Sequence, residues 1–95
     1  MAQLLPADSF DLIIFGGTGD LAMRKLLPAL YHRDRDGQLS SDSRIIAASR
    51  GALKLDVYLR DVKKSLQENL ADGDFDAAQW KKFSQRIHYV QADAL

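Results

Sequence analysis

The sequence predicts an α/β fold, a Rossmann-like doubly wound parallel sheet of which these residues build the first half in the order β-α-β-α-β, truncated after the third strand. Three observations predict it. Short apolar segments rich in β-branched and aromatic residues alternate with longer segments of helical periodicity, as strands joined by crossover helices do. A glycine-rich turn stands where the first short segment passes into the first helix. The second short segment ends in Ser49-Arg50-Gly51, with no acid beside the arginine.

Met1 to Ser9 is a polar lead-in without the pattern of an element. Phe10 to Phe15 is an apolar run ended abruptly by Gly16-Gly17, the signature of a buried parallel strand. From Asp20 to Arg33, Leu21, Ala22, Leu26, Ala29 and Leu30 fall at helical spacing, with Met23, Leu27 and Tyr31 widening the apolar face. Pro28 lies inside that helix. It lacks the amide that would bond the carbonyl of Arg24, so a kink or a locally opened turn is expected there.

Asp34 to Ser43, with Gly37 as helix stop, forms the return loop, and Arg44 to Ser49 supplies the second buried strand of a βαβ unit. Leu55, Leu59, Val62, Leu66 and Leu70 then recur at intervals of three and four, one stripe of a second helix whose other faces carry Lys63, Lys64, Gln67 and Glu68. Asp72-Gly73-Asp74 ends it. Asp74 is expected to cap a short third helix, Phe75 to Phe83, and Arg86 to Gln91 alternates as a third strand. Right-handed crossovers are expected. Ala92-Asp93-Ala94-Leu95 follows with no helix for the sheet's other face, so residues 1–95 are expected to be the amino-terminal part of a longer nucleotide-binding domain.

Ninety-five residues make one small domain at most, which excludes a complete two-domain enzyme. Thirteen basic against thirteen acidic residues give no net charge, which argues against nucleic-acid and anionic-membrane partners. The absence of cysteine excludes a disulfide framework and a zinc-finger-type metal site, and makes a cytoplasmic protein the expectation. The strongest apolar run, Leu12 to Phe15, falls far short of the ~20 residues that cross a bilayer. Met1 to Pro6 lacks the basic start of a secretion signal. Because the chain carries no net charge to draw nucleic acid, Phe75, Trp80 and Phe83 are expected to form an apolar cluster rather than a base-stacking platform.

Gly16-Gly17-Thr18-Gly19-Asp20-Leu21-Ala22 stands between strand and helix, where Rossmann-type folds wind the chain around a pyrophosphate. The anion must approach backbone amides at a helix start, and side chains on the turn would obstruct it, which Gly16 and Gly19 avoid. Ala22 is small enough for close packing of helix on strand, and Thr18 offers a hydroxyl donor. Asp20 would repel a pyrophosphate and is expected to turn inward as a helix cap. The missing Gly-Lys-Ser/Thr excludes a P-loop. At the end of the second strand, Arg50 offers a bidentate fork to a phosphate and Ser49 a further hydrogen bond, which favours NADP over NAD.

The string Phe15 to Tyr31, above all Gly19-Asp20-Leu21-Ala22 followed by Arg24-Lys25-Leu26-Leu27-Pro28-Ala29-Leu30-Tyr31, with Arg44 to Arg50 after it, resembles the amino-terminal coenzyme domain of the glucose-6-phosphate dehydrogenase family. The resemblance runs from about Phe10 to the chain end. It implies that Gly16, Gly17, Thr18, Gly19, Asp20, Leu21, Ala22 and Met23 cradle the NADP pyrophosphate and that Arg50 holds the 2′-phosphate. It also implies that Lys25 lies near the substrate end of the cleft, and that Asp93 and Ala94 end a strand lining the cofactor. The implied substrate is glucose 6-phosphate, oxidised in the pentose phosphate pathway by a homo-oligomer assembled through regions absent here. The family's substrate-binding stretch and catalytic histidine are absent too. His32 and His88 stand in structural positions and do not replace the base, so no catalytic residue is assigned.

Two other classes are open. A non-catalytic Rossmann module that senses NADP, of the short-chain dehydrogenase-like type, would favour a third glycine where Ala22 stands and would lack Arg24 to Pro28. A purely structural α/β fragment would bind nothing. A lysine one turn into a helix, such as Lys25, is also commonly just a solvated charge.

Overall fold

The computed structural model describes residues 10–92. Three parallel strands, β1 (Asp11–Phe15), β2 (Arg44–Ser49) and β3 (Ile87–Gln91), form one sheet in the order β1-β2-β3. A π-helical turn, Ala22–Leu26, runs directly into α1 (Leu27–Arg35) and joins β1 to β2, while α2 (Leu55–Asn69) and α3 (Ala77–Ser84) join β2 to β3. The expected α/β order is therefore present.

Strand register explains the core. Leu12 pairs with Ile45 and Ile45 with Ile87, and Ile14 pairs with Ala47 and Ala47 with Tyr89, so these residues share one face of the sheet. That face meets Ala22, Leu27 and Tyr31 from the first crossover and Tyr58, Val62, Leu66 and Phe83 from α2 and α3 in one apolar cluster. Each large side chain fully withdrawn from water there contributes about 1.5–3 kcal/mol. The opposite face carries Ile13, Phe15 and Val90, which are 52%, 66% and 47% exposed. A run such as Phe10 to Phe15 predicts a strand covered on both sides, and the described residues cover one.

The locally opened turn expected from Pro28 is present in the residues just before it. The N–H of Leu27 bonds the carbonyl of Ala22, five residues back, so the helix widens by one residue just before the proline. The Met23 carbonyl then has no helical partner, since Leu27 is committed and Pro28 has no N–H. Ser65 of α2 supplies one, its hydroxyl donating to Met23 at 2.6 Å. The wide turn also shifts the buried stripe. Ala22, Leu27, Pro28, Tyr31 and Asp34 are buried, while Leu21, Leu26 and Ala29 of the expected apolar face are exposed.

Asp34 corrects the loop boundary: it lies inside α1 and is buried. The cause is Arg86, whose guanidinium donates to Asp34 Oδ1 at 3.0 Å and to the carbonyls of Ser40, Ser43 and Leu39. Gln79 donates to the other Asp34 oxygen. One buried arginine thus closes the loop between α1 and β2 over α3, and β3 begins only after it, at Ile87.

The third helix starts later than expected, and its cap is Asp76, which accepts from the Gln79 N–H at 2.9 Å, rather than Asp74. Phe75 is drawn instead into a stack with Tyr31, at 6.2 Å between ring centroids, and Trp80 and Phe83 complete the expected aromatic cluster. The Tyr31 hydroxyl bridges the N–H and carbonyl of Asp76, fixing that helix start to α1. In α2 the largest fully buried side chain is Tyr58, with Val62 and Leu66 as completely buried, while Leu55 of the expected stripe is 41% exposed.

Three outcomes follow from these contacts. Arg86→Met, which strands a buried carboxylate, lowers unfolding free energy by about 3–5 kcal/mol in urea denaturation, and adding Asp34→Leu restores most of it. Ser65→Ala costs about 1 kcal/mol, because the half-buried Met23 residue loses the hydroxyl that pairs its carbonyl. At the strand starts, the Arg44 guanidinium grips Asp11 with bonds of 2.9 and 2.6 Å and holds its carboxyl below the usual aspartate range. That contribution is complete above the unfolded value near ~3.9 and is lost as pH falls through the lowered one. Arg44→Gln therefore moves the Asp11 titration upward in a carboxyl-carbon NMR experiment.

Candidate functional site

The turn after β1 remains attached to β2. The N–H groups of Gly16 and Gly17 both donate to the Ala48 carbonyl, at 2.8 and 3.1 Å, and Gly19 N–H donates to Gly16 at 2.8 Å. Each glycine answers a different need. Gly16 has φ +70°, the left-handed region that side chains disfavour. A Cβ on Gly17 would lie 2.6 Å from the Ala47 Cβ and 3.1 Å from the Tyr58 hydroxyl, and one on Gly19 would lie 3.1 Å from the Gly16 carbonyl. The requirement at Gly17 was not anticipated. Its signal is the pair of small residues Ala47-Ala48 in the middle of β2, which lets a neighbouring backbone approach.

Tyr58 seals this contact by donating to the Gly17 carbonyl at 2.8 Å. Burial, and then the neighbouring Tyr89, push its phenol upward, so it stays a neutral donor across the ordinary pH range. Beyond the turn, Ala22 is buried against the core as expected of a small residue there. The first N–H groups of a helix have no partner within it, and here they open next to glycines that leave the approach clear.

Asp20 departs from the expected cap. It is exposed, makes no cap, and pairs with Arg24 four residues on at 3.4 Å, which offsets the carboxylate that would otherwise face an anion. Leu21 and Lys25 are exposed and Met23 is half-buried.

At the end of β2, Ser49 is buried, and its hydroxyl does not face a phosphate as expected. It lies 3.0 Å from the Tyr89 hydroxyl and 3.3 Å from that of Thr18. Tyr89 uses its one proton on the Gly51 carbonyl at 2.6 Å, so Ser49 donates to Tyr89 and Thr18 donates to Ser49. The Thr18 proton therefore points inward, leaving its oxygen to face outward as an acceptor. Arg50 is exposed, and its guanidinium has no protein partner among the described residues, while its own carbonyl accepts from Gln91 at 3.0 Å. Tyr89 and Gln91 were not anticipated as site residues.

Phe15 pairs with Ala48, so the glycine turn and Arg50 leave the same end of adjacent parallel strands. That is the position in which an open α/β sheet accepts a nucleotide. A dinucleotide fits the groups present: a glycine turn that a Cβ at Gly17 or Gly19 would crowd, a helix start behind it, and a guanidinium with no partner among the described residues and no carboxylate in Ser49-Arg50-Gly51. Asp93 and Ala94 lie outside the described residues. His32 is in the second half of α1, and His88 is near the start of β3, so neither is at this end of the sheet.

Comparison with known proteins agrees with this geometry. The family model described as glucose-6-phosphate dehydrogenase, NAD binding domain, matches residues 13–95. The chain is 50% identical over 93 residues to the glucose-6-phosphate 1-dehydrogenase of Rhizobium meliloti, covering 98% of this chain and 19% of that protein. It is 44% identical over 88 residues to that of Mycolicibacterium smegmatis, covering 93% and 18%. Among solved structures, the glucose-6-phosphate 1-dehydrogenase of Mycobacterium avium superposes with a TM-score of 0.80 at 30% identity, over 90% of this chain and 18% of that one. A glucose-6-phosphate dehydrogenase in complex with its substrate glucose-6-phosphate gives 0.78 at 29% identity, over 98% and 19%. The chain thus spans about a fifth of the length of these relatives.

Gly17→Ala forces the turn away from Ala47 and is expected to cost about 1–3 kcal/mol in chemical denaturation. Gly16→Ala meets no neighbouring atom and costs about 1 kcal/mol, from backbone strain alone.

Proposed function

The chain belongs to the glucose-6-phosphate dehydrogenase family, and from that premise we propose that residues 1–95 are the first part of the NADP-binding domain of an enzyme that oxidises glucose 6-phosphate at carbon 1 to 6-phosphogluconolactone. The observation that carries the choice of NADP is the guanidinium of Arg50, exposed and without a partner among the described residues, on the turn that β2 delivers beside the glycines. An arginine in that place accepts the 2′-phosphate of NADP in a bidentate grip, whereas an acid there would hold the ribose hydroxyls of NAD.

In this reading Gly16, Gly17 and Gly19 keep the turn free of side chains, and the amides of Thr18, Asp20, Leu21 and Ala22 receive the pyrophosphate, while the Gly19 and Met23 N–H groups hold the turn itself by bonding the Gly16 and Gly19 carbonyls. Asp20 is neutralised by Arg24. Bound NADP supplies the hydride acceptor, and the protein's part is to bind and orient it. Lys25, exposed on the π-helical turn, is assigned by the family resemblance to the substrate end of the cleft, and Asp93 and Ala94, outside the described residues, are assigned by it to the cofactor. The proton acceptor and the glucose 6-phosphate contacts belong to the remainder of a longer, cytoplasmic, homo-oligomeric enzyme of the pentose phosphate pathway.

Calorimetric titration with NADP+ and NAD+ tests the proposal. NADP+ binds more tightly, and Arg50→Ala weakens it by about 10- to 100-fold, the loss of charge-assisted hydrogen bonds, while NAD+ changes little. Equal affinity for the two nucleotides in the wild-type chain would overturn the phosphate site. The 95 residues alone form no NADPH from glucose 6-phosphate and NADP+ in a spectrophotometric assay.

A further inference from the structure

We propose that Tyr89 and Gln91 are positioning residues for Arg50, and that they set the preference for a dinucleotide carrying a 2′-phosphate; the proposal rests on the cofactor reading above. The backbone carbonyls of the turn that bears Arg50 are held from the β3 side. Three successive carbonyls, those of Ser49, Arg50 and Gly51, accept respectively from the Ala92 N–H at 2.8 Å, the Gln91 amide at 3.0 Å and the Tyr89 hydroxyl at 2.6 Å. All three donors come from the end of β3 or the residue after it. Tyr89 and Gln91 are two apart on a strand and so share a face, set opposite Ala47 and Ser49 of β2. The small side chain of Ala47 leaves room for the Tyr89 ring to lean toward the turn.

Packing does not require the Tyr89 hydroxyl. The ring lies 5.0 Å from that of Tyr58, a contact that phenylalanine would keep, and Gln91 is exposed. What the two polar groups fix is the path of the backbone from which the Arg50 side chain departs. A long side chain without partners of its own is aimed by its backbone, and a fixed backbone reduces the ordering cost of gripping a phosphate. The Ser49 and Thr18 hydroxyls extend the chain of contacts to the glycine turn, so the two anion-binding ends of the site hold one relative position.

The test is titration of NADP+ and NAD+ into the full chain carrying Tyr89→Phe, Gln91→Leu, Arg50→Ala and Tyr89→Phe combined with Arg50→Ala, with circular dichroism to verify folding. Tyr89→Phe and Gln91→Leu each raise the Kd for NADP+ about 3- to 10-fold and leave NAD+ within about twofold, since the first removes the hydroxyl that bonds Ser49 and the Gly51 carbonyl and the second removes the bond to the Arg50 carbonyl, and both act through the arginine. In the Arg50→Ala background, Tyr89→Phe has no further effect on NADP+. Unchanged NADP+ binding in both single variants, equal weakening of both nucleotides, or an effect that persists without Arg50 would overturn the positioning role. If Arg50→Ala itself leaves NADP+ binding unaltered, the phosphate-site reading fails and takes this one with it. Should Tyr89→Phe unfold, the exposed Gln91→Leu carries the same comparison alone and in the Arg50→Ala background.

Discussion

The approach of Gly17 to Ala47 is the contact around which the other parts of the molecule are arranged. Ala47 is fully buried at the centre of the sheet, with the Gly17 backbone near it from the β1 side, Tyr89 opposite it on β3, and Tyr58 packed over both. A larger residue at 17 or 47 would displace the turn, and with it the start of the first crossover helix. Because Tyr58 hydrogen-bonds the Gly17 carbonyl, the same contact also sets where α2 lies on the sheet. Packing and the position of the site are here one constraint, since the amides that would meet a pyrophosphate begin at the next residue, Thr18.

Elsewhere the fold depends on polar groups satisfied at long range. The guanidinium of Arg86 gathers Asp34 and three loop carbonyls, and the Ser65 hydroxyl takes the carbonyl freed by the wide turn. Each joins segments more than forty residues apart, and each group would be costly to bury alone. At the other end of the sheet, hydroxyls run from Thr18 through Ser49 to Tyr89 and the Gly51 carbonyl. The candidate site is therefore continuous with the network that holds the strand ends together.

Much of this was legible in the sequence, and the boundary of legibility has a physical cause. The strands and the order of helices follow from local periodicity, and the glycine turn and Arg50 are local signals whose meaning comes from the element before them. What was misplaced depended on partners remote in sequence. Asp34 belongs to a helix because Arg86 meets it, Asp76 takes the cap because Tyr31 holds its backbone, and Tyr58 is central because Gly17, remote in sequence, leaves space for it and accepts its hydroxyl. Ser49 was expected to face a ligand. Strand register sets it opposite Gln91, and Tyr89 two residues earlier takes its hydroxyl, a pairing that no local pattern encodes. Family resemblance, carried by Gly19 to Tyr31, supplied the substrate class that no residue on the described chain identifies by its chemistry.

The widened turn before Pro28 has a consequence for how sequences of this fold vary in length. Ala22 and Leu27 are both buried although five positions separate them, a spacing that an ordinary helix would place on different sides. The turn therefore houses one surplus residue. Removing a single residue between Met23 and Leu26 while replacing the proline would restore four-residue spacing and return Ala22 and the old Leu27 to one stripe. Insertion and proline are thus a matched pair, each tolerable because of the other, and a homologue that lost one would be expected to have lost both.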